Sequence, residues 1–237
     1  MKRLGRKFKN LLRRVKLIKN CYSFCWPLDH IGTWPRIVCL RSGGRILIKA
    51  FRSSDFAFFN EIVIDDIYHT EDFKSPKKIL DVGANIWVFT ILIASKFPNA
   101  TVIAFEPEKS NFEALKKNIA LSGAKNIIAI NAAISTTKGT ASLYVSGANA
   151  GNHSLYGNGV GTATEMVKTH TLDEFLPADI LKLDAEGIEY DLFKKSVPDF
   201  DYITMETHNG GDEGLFELLG NKYERFSNPP IHLFKHK

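Results

Sequence analysis

The sequence has few cysteines and no apolar run long enough for a membrane-spanning helix. Cys21, Cys25 and Cys39 are odd in number and lack the paired spacing of a zinc site or a disulfide framework, and unpaired thiols suit a reducing cytoplasm. The longest uncharged apolar run, residues 86–95, is about half of the roughly 20 residues that a spanning helix needs. We therefore expect a soluble, cytoplasmic protein without a structural metal.

Basic residues are concentrated at the start of the chain. Residues 1–20 carry nine Lys or Arg and no acid, whereas the rest carries 22 basic and 26 acidic residues. Apolar residues recur there at spacings of three and four, which predicts an amphipathic basic helix with one apolar stripe: Leu4, Phe8, Leu11, Val15 and Ile18. The stripe has three candidate partners, namely the chain's own domain or another protein, a membrane surface, or nucleic acid, which is the least favoured.

Length and composition are those of one globular domain behind this extension, because 237 residues with 44% hydrophobic content can bury a full core. We divide the chain into the basic helix at 1–20, an N-terminal hairpin and helical lid at 21–75, and a main domain at 76–237. The hairpin is predicted over residues 36–50, and the helical lid begins near Ser54.

The main domain opens with KKILDVGANIWVFT, which has the pattern of a buried strand, a tight turn and a helix. Asp81 lies near the carboxyl end of the strand, and Gly83, Ala84 and Asn85 form the turn. Ligands of open parallel sheets bind at such strand ends, where the turn offers backbone N–H groups. The sequence therefore predicts a cofactor site here.

A second apolar strand, TVIAF, ends in Glu106 and Pro107. A carboxylate at this position can accept hydrogen bonds from both hydroxyls of a ribose. The first strand lacks the GxGxxG pyrophosphate turn, so S-adenosylmethionine, which has no pyrophosphate, is favoured over NAD or FAD. The next helix is predicted to begin with a capping box of Ser110 and Glu113, and residues 126–134 are predicted to form the third strand.

The fourth strand, ILKL, is followed by the acidic segment DAEGIE. Asp184, Glu186 and Glu189 are costly to place together unless they are solvated, hydrogen bonded, or shared with a cation or polar substrate. Glu189 could instead be a solvated charge that favours the N-terminus of the following helix. A divalent ion bound by Asp184 and its neighbours is a further alternative. The fifth strand ends near Glu206 and His208, and the histidine could act as a general base or simply face solvent.

Three motifs in this order, DVGAN, FEPE and LKLDAEGIE, resemble the FkbM-like family of class I S-adenosylmethionine-dependent methyltransferases, and the resemblance runs from about Ile46 to Phe226. It implies an α/β, Rossmann-like fold with a seven-stranded, mostly parallel sheet of order 3-2-1-4-5-7-6 and helices on both faces. Asn131 and Ala132, near the end of the third strand, would then lie beside the adenine. The predicted cofactor residues are Asp81, Gly83, Ala84, Asn85, Glu106, Pro107, Asn131 and Ala132.

The same resemblance implies O-methylation of a sugar, glycan or small metabolite, and a phosphate or carboxylate on the acceptor would suit the basic helix. Asp184 would orient the acceptor or act as its base, with Glu186 and His208 as further catalytic candidates. Arg52 and Asp55 in the lid would contact the substrate or pair with each other. The remaining candidates are His153 and Ser154, in the glycine-rich segment 146–164, and Glu206, at the end of the fifth strand. The glycine-rich segment is either a substrate loop or a surface loop.

One position departs from the family pattern, because Trp87 stands where the family motif DVGANIG ends in glycine. The indole could turn toward the core, reshape the cofactor pocket or block it, and a blocked pocket would make the chain a catalytically inactive binding protein. A nucleic-acid methyltransferase is disfavoured, because it would need NPPY or DPPY after the fourth strand, where this chain has LDAEG.

Overall fold

A computed structural model describes residues 12–19, 36–48, 54–85, 87–145, 163–185, 187–207, 212–226 and 231–237. Five of the site residues predicted above lie outside these ranges: Arg52, His153, Ser154, Glu186 and His208. For Asp55, the backbone position is described but the side chain is not.

Twelve strands are found in the described part of the chain. In chain order they are β1 (Arg36–Cys39), β2 (Arg45–Ile48), β3 (Lys78–Val82), β4 (Thr101–Phe105), β5 (Ile127–Ile130), β6 (Ala133–Ile134), β7 (Gly139–Val145), β8 (Ala163–His170), β9 (Ile180–Leu183), β10 (Tyr202–Glu206), β11 (Tyr223–Arg225) and β12 (Ile231–His236). Strands β1 and β2 form the predicted hairpin.

The central sheet has the strand order β11-β12-β10-β9-β3-β4-β5. Strand β12 is antiparallel to both of its neighbours, and the other pairs are parallel. With β3 counted as the first strand, this order is 3-2-1-4-5-7-6, which confirms the predicted Rossmann-like fold. The sites of such sheets lie at the carboxyl ends of the parallel strands.

Helices cover both faces of the sheet, which is why its middle strands are mostly apolar. The helices are α1 (Ser54–Phe59), which continues as a π-helix over Asn60–Ile64, α2 (Val88–Lys96), α3 (Lys109–Ser122), α4 (Glu189–Phe193) and α5 (Asp212–Gly220). Leu80 of β3 packs in a cluster with Phe193 of α4 and Leu215 of α5, whereas Ile79 packs in a separate cluster with Phe89 of α2. No helix in the described residues has the length and apolar content to cross a bilayer.

The start of α3 differs from the prediction. Its N-cap is Glu108, whose carboxylate accepts hydrogen bonds from the backbone N–H groups of Ser110 (2.9 Å) and Asn111 (2.7 Å). Glu113 does not complete a capping box with Ser110, because its carboxylate pairs with Lys116 at 2.8 Å. The predicted N-cap was two residues too late, because the Glu108 side chain accepts free backbone N–H groups of the first helical turn, a role that Ser, Thr, Asp or Asn more often fill.

The segment predicted as one third strand is divided between two sheets. Strand β5 ends at Ile130, and β6 begins at Ala133 and pairs with β8 in a small sheet of order β6-β8-β7. The side-chain amide of Asn131 donates to the backbone oxygens of Glu106 and Pro107, both at 2.9 Å, and so holds the chain where it leaves the central sheet. Apolar pattern alone could not show this break. Strand β8 was not predicted, and it takes the last two residues of the proposed 146–164 loop.

The N-terminal segment is helical at residues 12–17 and then forms a bridge from Ile18 to Leu40. Ile18 is fully buried, but Val15 is 48% exposed. The predicted single apolar stripe is therefore wrong for these two residues, because Ile18, at the end of the helix, packs in the core cluster with Val38 and Leu40, whereas Val15 lies at the surface.

Candidate functional site at the carboxyl edge of the sheet

The turn between β3 and α2 brings two parallel strand ends into close contact. The backbone N–H groups of Gly83 and Ala84 donate to the oxygen of Phe105, at 3.1 and 2.9 Å. Gly83 has a φ of 73°, and a Cβ atom there would lie 1.8 Å from the backbone oxygen of Asp184. Only glycine can occupy this position without moving β9 away from β3.

Glu106 lies across this turn, at the end of β4. Its buried carboxylate accepts hydrogen bonds from the backbone N–H groups of Asn85 (2.8 Å) and Glu108 (2.9 Å). Burial raises the pKa of Glu106 to about 7, although both backbone hydrogen bonds oppose the shift. The carboxyl group can therefore change its charge near neutral pH.

The predicted adenine contacts lie at the neighbouring strand end. Asn131 is exposed, and its amide is held by the backbone oxygens of Glu106 and Pro107. Ala132 is fully buried, so its side chain offers no surface to a ligand. The structure thus groups Asn131 with Glu106 and Pro107 and places the side chain of Ala132 in the interior.

Lys182, in the middle of β9, connects the ends of β3 and β9. Its Nζ atom lies 3.5 Å from both Asp81 Oδ1 and Asp184 Oδ2, and it donates to the backbone oxygen of Gly83 at 2.6 Å. Burial lowers the pKa of Lys182, but Asp184 and Asp81 outweigh burial and leave that pKa above its ordinary value. Burial raises the pKa of Asp81, against Lys182 and a hydrogen bond from Thr90 Oγ1. Lys182 is therefore a protonated group held between two carboxylates.

Tyr68 approaches the same cluster from the lid side. Its hydroxyl donates to Asp184 Oδ2 at 3.2 Å, and Lys182 Nζ lies 5.4 Å from the centre of its ring. Burial and the nearby charges of Asp184, Glu206 and Asp81 raise the pKa of Tyr68 well above its ordinary value. Tyr68 consequently stays protonated and acts as a hydrogen-bond donor.

A cavity of about 150 Å³ opens beside these groups. Its polar lining comes from Glu61 and Tyr68 of the lid, from Lys182, and from Asp184 and Glu206 at the ends of β9 and β10. The other lining residues are the turn residues Gly83, Ala84 and Asn85 and the mostly apolar Phe58, Ile62, Ile67, Trp87, Val88 and Phe89. The structure thus brings together the turn, Asp184 and Glu206 around one cavity, and Glu106 is not among the residues that line it.

Trp87 both packs in the core and forms part of the cavity wall. It is buried in an apolar cluster with Ile18, Phe59 and Val88. Its backbone has a φ of 138°, in the region that favours glycine, and its Nε1 atom has no hydrogen-bond partner among the described residues. The residue thus has a backbone conformation that favours glycine, and its indole forms part of the cavity wall beside the turn.

Lys182 and Tyr68 were not among the residues predicted from the sequence. A single lysine within the apolar strand ILKL was the available signal for Lys182, because an unpaired buried charge is too costly to retain. Tyr68 had no comparable signal. Among the described residues, no group of three or more His, Cys, Asp or Glu side chains is arranged to hold a metal ion.

Comparisons with known proteins agree with these motifs. Residues 81–226 match the family profile described as Methyltransferase FkbM domain. Methyltransferase sdnD of Sordaria araneosa is 27% identical over 219 residues, which cover 74% of this chain and 79% of that protein. Methyltransferase 1 of Beauveria bassiana is 27% identical over 159 residues, which cover 56% of this chain and 64% of that protein, less than two thirds of its length.

Among solved structures, the precorrin-6y C5,15-methyltransferase of Geobacter metallireducens aligns with a TM-score of 0.45 and 12% identity, over 73% of this chain and 87% of that one. The family match extends over more than half of the chain and includes the turn at Gly83, the acid at Glu106 and the cluster at Asp184. This chain belongs to the FkbM methyltransferase family.

Proposed function

We propose that this protein is an S-adenosylmethionine-dependent methyltransferase that methylates a hydroxyl group of a sugar, glycan or small metabolite. One observation carries the proposal. The Glu106 carboxylate is held 2.8 Å from the Asn85 backbone nitrogen, across a turn in which Gly83 leaves no room for a side chain. This is the arrangement that a nucleoside cofactor needs at the carboxyl ends of two parallel strands.

The residues present fit the two ends of such a cofactor differently. Glu106 keeps acceptor sites beyond its two backbone donors, so it can accept the ribose hydroxyls, and Pro107 and Asn131 lie beside it. The cavity of about 150 Å³ is smaller than the roughly 300–1,000 Å³ of ordinary ligand pockets. It therefore suits one polar end of the cofactor or the reacting group of the acceptor, with Trp87 as one wall.

The cofactor would supply an electrophilic methyl group, and the chain's own residues would position the acceptor. Tyr68 and Lys182 both contact Asp184 Oδ2, and these two contacts fix the orientation of the carboxylate beside the cavity. In this position Asp184 can accept the proton of an acceptor hydroxyl as it reacts. Tyr68 stays protonated and Lys182 stays charged, so both act as positioning residues rather than as the base. Glu206 is the second acceptor-side carboxylate in the cavity lining.

A second function, a binding protein without catalysis, is favoured by Trp87 alone. Calorimetry with S-adenosylmethionine separates the two, using the native chain and a Trp87→Gly variant. Micromolar binding by the native chain supports the enzyme, and release of S-adenosylhomocysteine in the presence of hydroxyl acceptors would then identify the acceptor class. Binding by the variant alone supports the binding protein, and binding by neither chain would reject the cofactor.

A further inference from the structure

The helical segment at residues 12–17 faces the protein with two arginines and Leu17, and its outward side is partly apolar. Arg14 donates to Asn60 Oδ1 at 2.8 Å, and Arg13 donates to Glu71 Oε1 at 3.1 Å. Leu12 and Val15 are 55% and 48% exposed. The arginines thus fasten the segment to the lid, while the side chains of Leu12 and Val15 point away from the protein.

Lysines accompany the outward apolar residues. Lys16 and Lys19 are exposed, and each lies four positions after an exposed apolar residue, Leu12 or Val15. Residues four apart in a helix lie on one side, so Leu12 and Lys16 are neighbours there. Residues 1–20 contain no acid that would neutralise this positive charge.

We infer that the outward side of residues 12–19 binds the surface of an anionic lipid bilayer. Exposed leucine and valine side chains gain by entering the headgroup region, and the adjacent lysines gain by approaching anionic lipids. Nucleic acid is disfavoured as the partner because its phosphates offer nothing to Leu12 and Val15. In addition, Arg13 and Arg14, the best phosphate ligands in the segment, already have partners on the lid. A second copy of the chain would bring like charges together.

Co-sedimentation of the full chain with vesicles tests this inference. We expect binding to phosphatidylcholine vesicles that contain phosphatidylserine, and much weaker binding to phosphatidylcholine alone. Raising the salt toward about 1 M shortens the Debye length to about 3 Å and should release the protein. A double variant, Leu12→Glu with Val15→Glu, should weaken binding by at least about tenfold, because two apolar contacts are replaced by like charge.

The matched control is a second double variant with the same charge change, Ile128→Glu with Met166→Glu. These apolar residues are 51% and 66% exposed but belong to strands β5 and β8. The control should bind as the native chain does, and thermal unfolding checks that both variants are folded.

Absence of vesicle binding, equal binding to both lipid compositions, or an equal loss of vesicle binding in the two variants would overturn the inference. Binding to an oligonucleotide without vesicle binding would assign the segment to nucleic acid instead. Methyl transfer is measured separately, so neither result decides the other.

Discussion

The Nζ atom of Lys182 lies 2.6 Å from the backbone oxygen of Gly83, so a charged side chain of β9 is bound to the turn that follows β3. The same ammonium group lies 3.5 Å from Asp81 and 3.5 Å from Asp184. One buried lysine thus links the turn at the proposed cofactor site to the carboxylate proposed to receive the acceptor's proton. Its loss should affect both.

Replacing Lys182 with methionine should lower the free energy of unfolding by about 3–5 kcal/mol, because two carboxylates lose their buried counter-charge. Urea denaturation measures the change. Lys116→Met is the control, since the pair that Lys116 forms with Glu113 is exposed and its loss should cost about 1 kcal/mol or less. Equal costs for the two variants would contradict the cluster described here.

The close approach of β3 and β9 predicts different outcomes for two glycines with similar backbones. Gly83 and Gly123 have φ values of 73° and 77°, but only at Gly83 would a Cβ atom meet another atom within 4 Å. Gly123→Ala should cost about 1–2 kcal/mol, the backbone penalty alone. Gly83→Ala should cost more than about 4 kcal/mol, because the Asp184 backbone must move. Similar unfolding midpoints would show that the strand ends are not in contact.

Glu106 should make stability fall as pH rises from about 4.5 to about 7. Its pKa is raised from 4.5 to about 7 by burial, so in this range the folded chain binds more protons than the unfolded chain. Below pH 4.5 the carboxyl group is protonated in both states, and its burial does not lower the free energy of unfolding. Above pH 7 the burial of the ionised group lowers the free energy of unfolding by up to about 3 kcal/mol. Unfolding of the native chain and of Glu106→Gln should be compared across this range, and the difference between them should vary with pH.

The same titration should appear in ligand binding. The ionised carboxylate accepts stronger hydrogen bonds from the ribose hydroxyls than the protonated carboxyl group does, so the affinity for S-adenosylmethionine should rise as pH increases through about 7. The Glu106→Gln variant should bind more weakly and without this pH dependence. An equal pH dependence in both proteins, measured by calorimetry, would remove Glu106 from the site.

At position 87, the glycine variant should be more stable than the alanine variant. Both substitutions remove the indole from the core, at a cost of about 3–5 kcal/mol. Only glycine adopts a φ of 138° without strain, so Trp87→Gly should be more stable than Trp87→Ala by about 1–3 kcal/mol. Thermal unfolding of the two variants gives this difference directly. A more stable alanine variant would mean that the backbone here is not in the glycine region.

Local patterns in the sequence predicted much of the central sheet, because each parallel strand is a mostly apolar segment with polar residues at or near its carboxyl end. Asp81, Asp184 and Glu206 could be assigned to one edge for this reason. The patterns failed where a distant partner decides the structure. The break between Ile130 and Ala133 depends on hydrogen bonds from Asn131 to the segment after β4, and the N-cap at Glu108 depends on how the chain leaves that strand.

The sequence by itself determined the family and the turn at Gly83, since these depend on residue types at short spacings, and the resemblance to that family implied the order of the strands. Only the tertiary structure placed Lys182 between Asp81 and Asp184, brought Tyr68 to Asp184 and showed Trp87 as both a core residue and a cavity wall. These contacts join segments that are far apart in the chain. Their energies come from burial and charge pairing, which exist only after the segments have packed together.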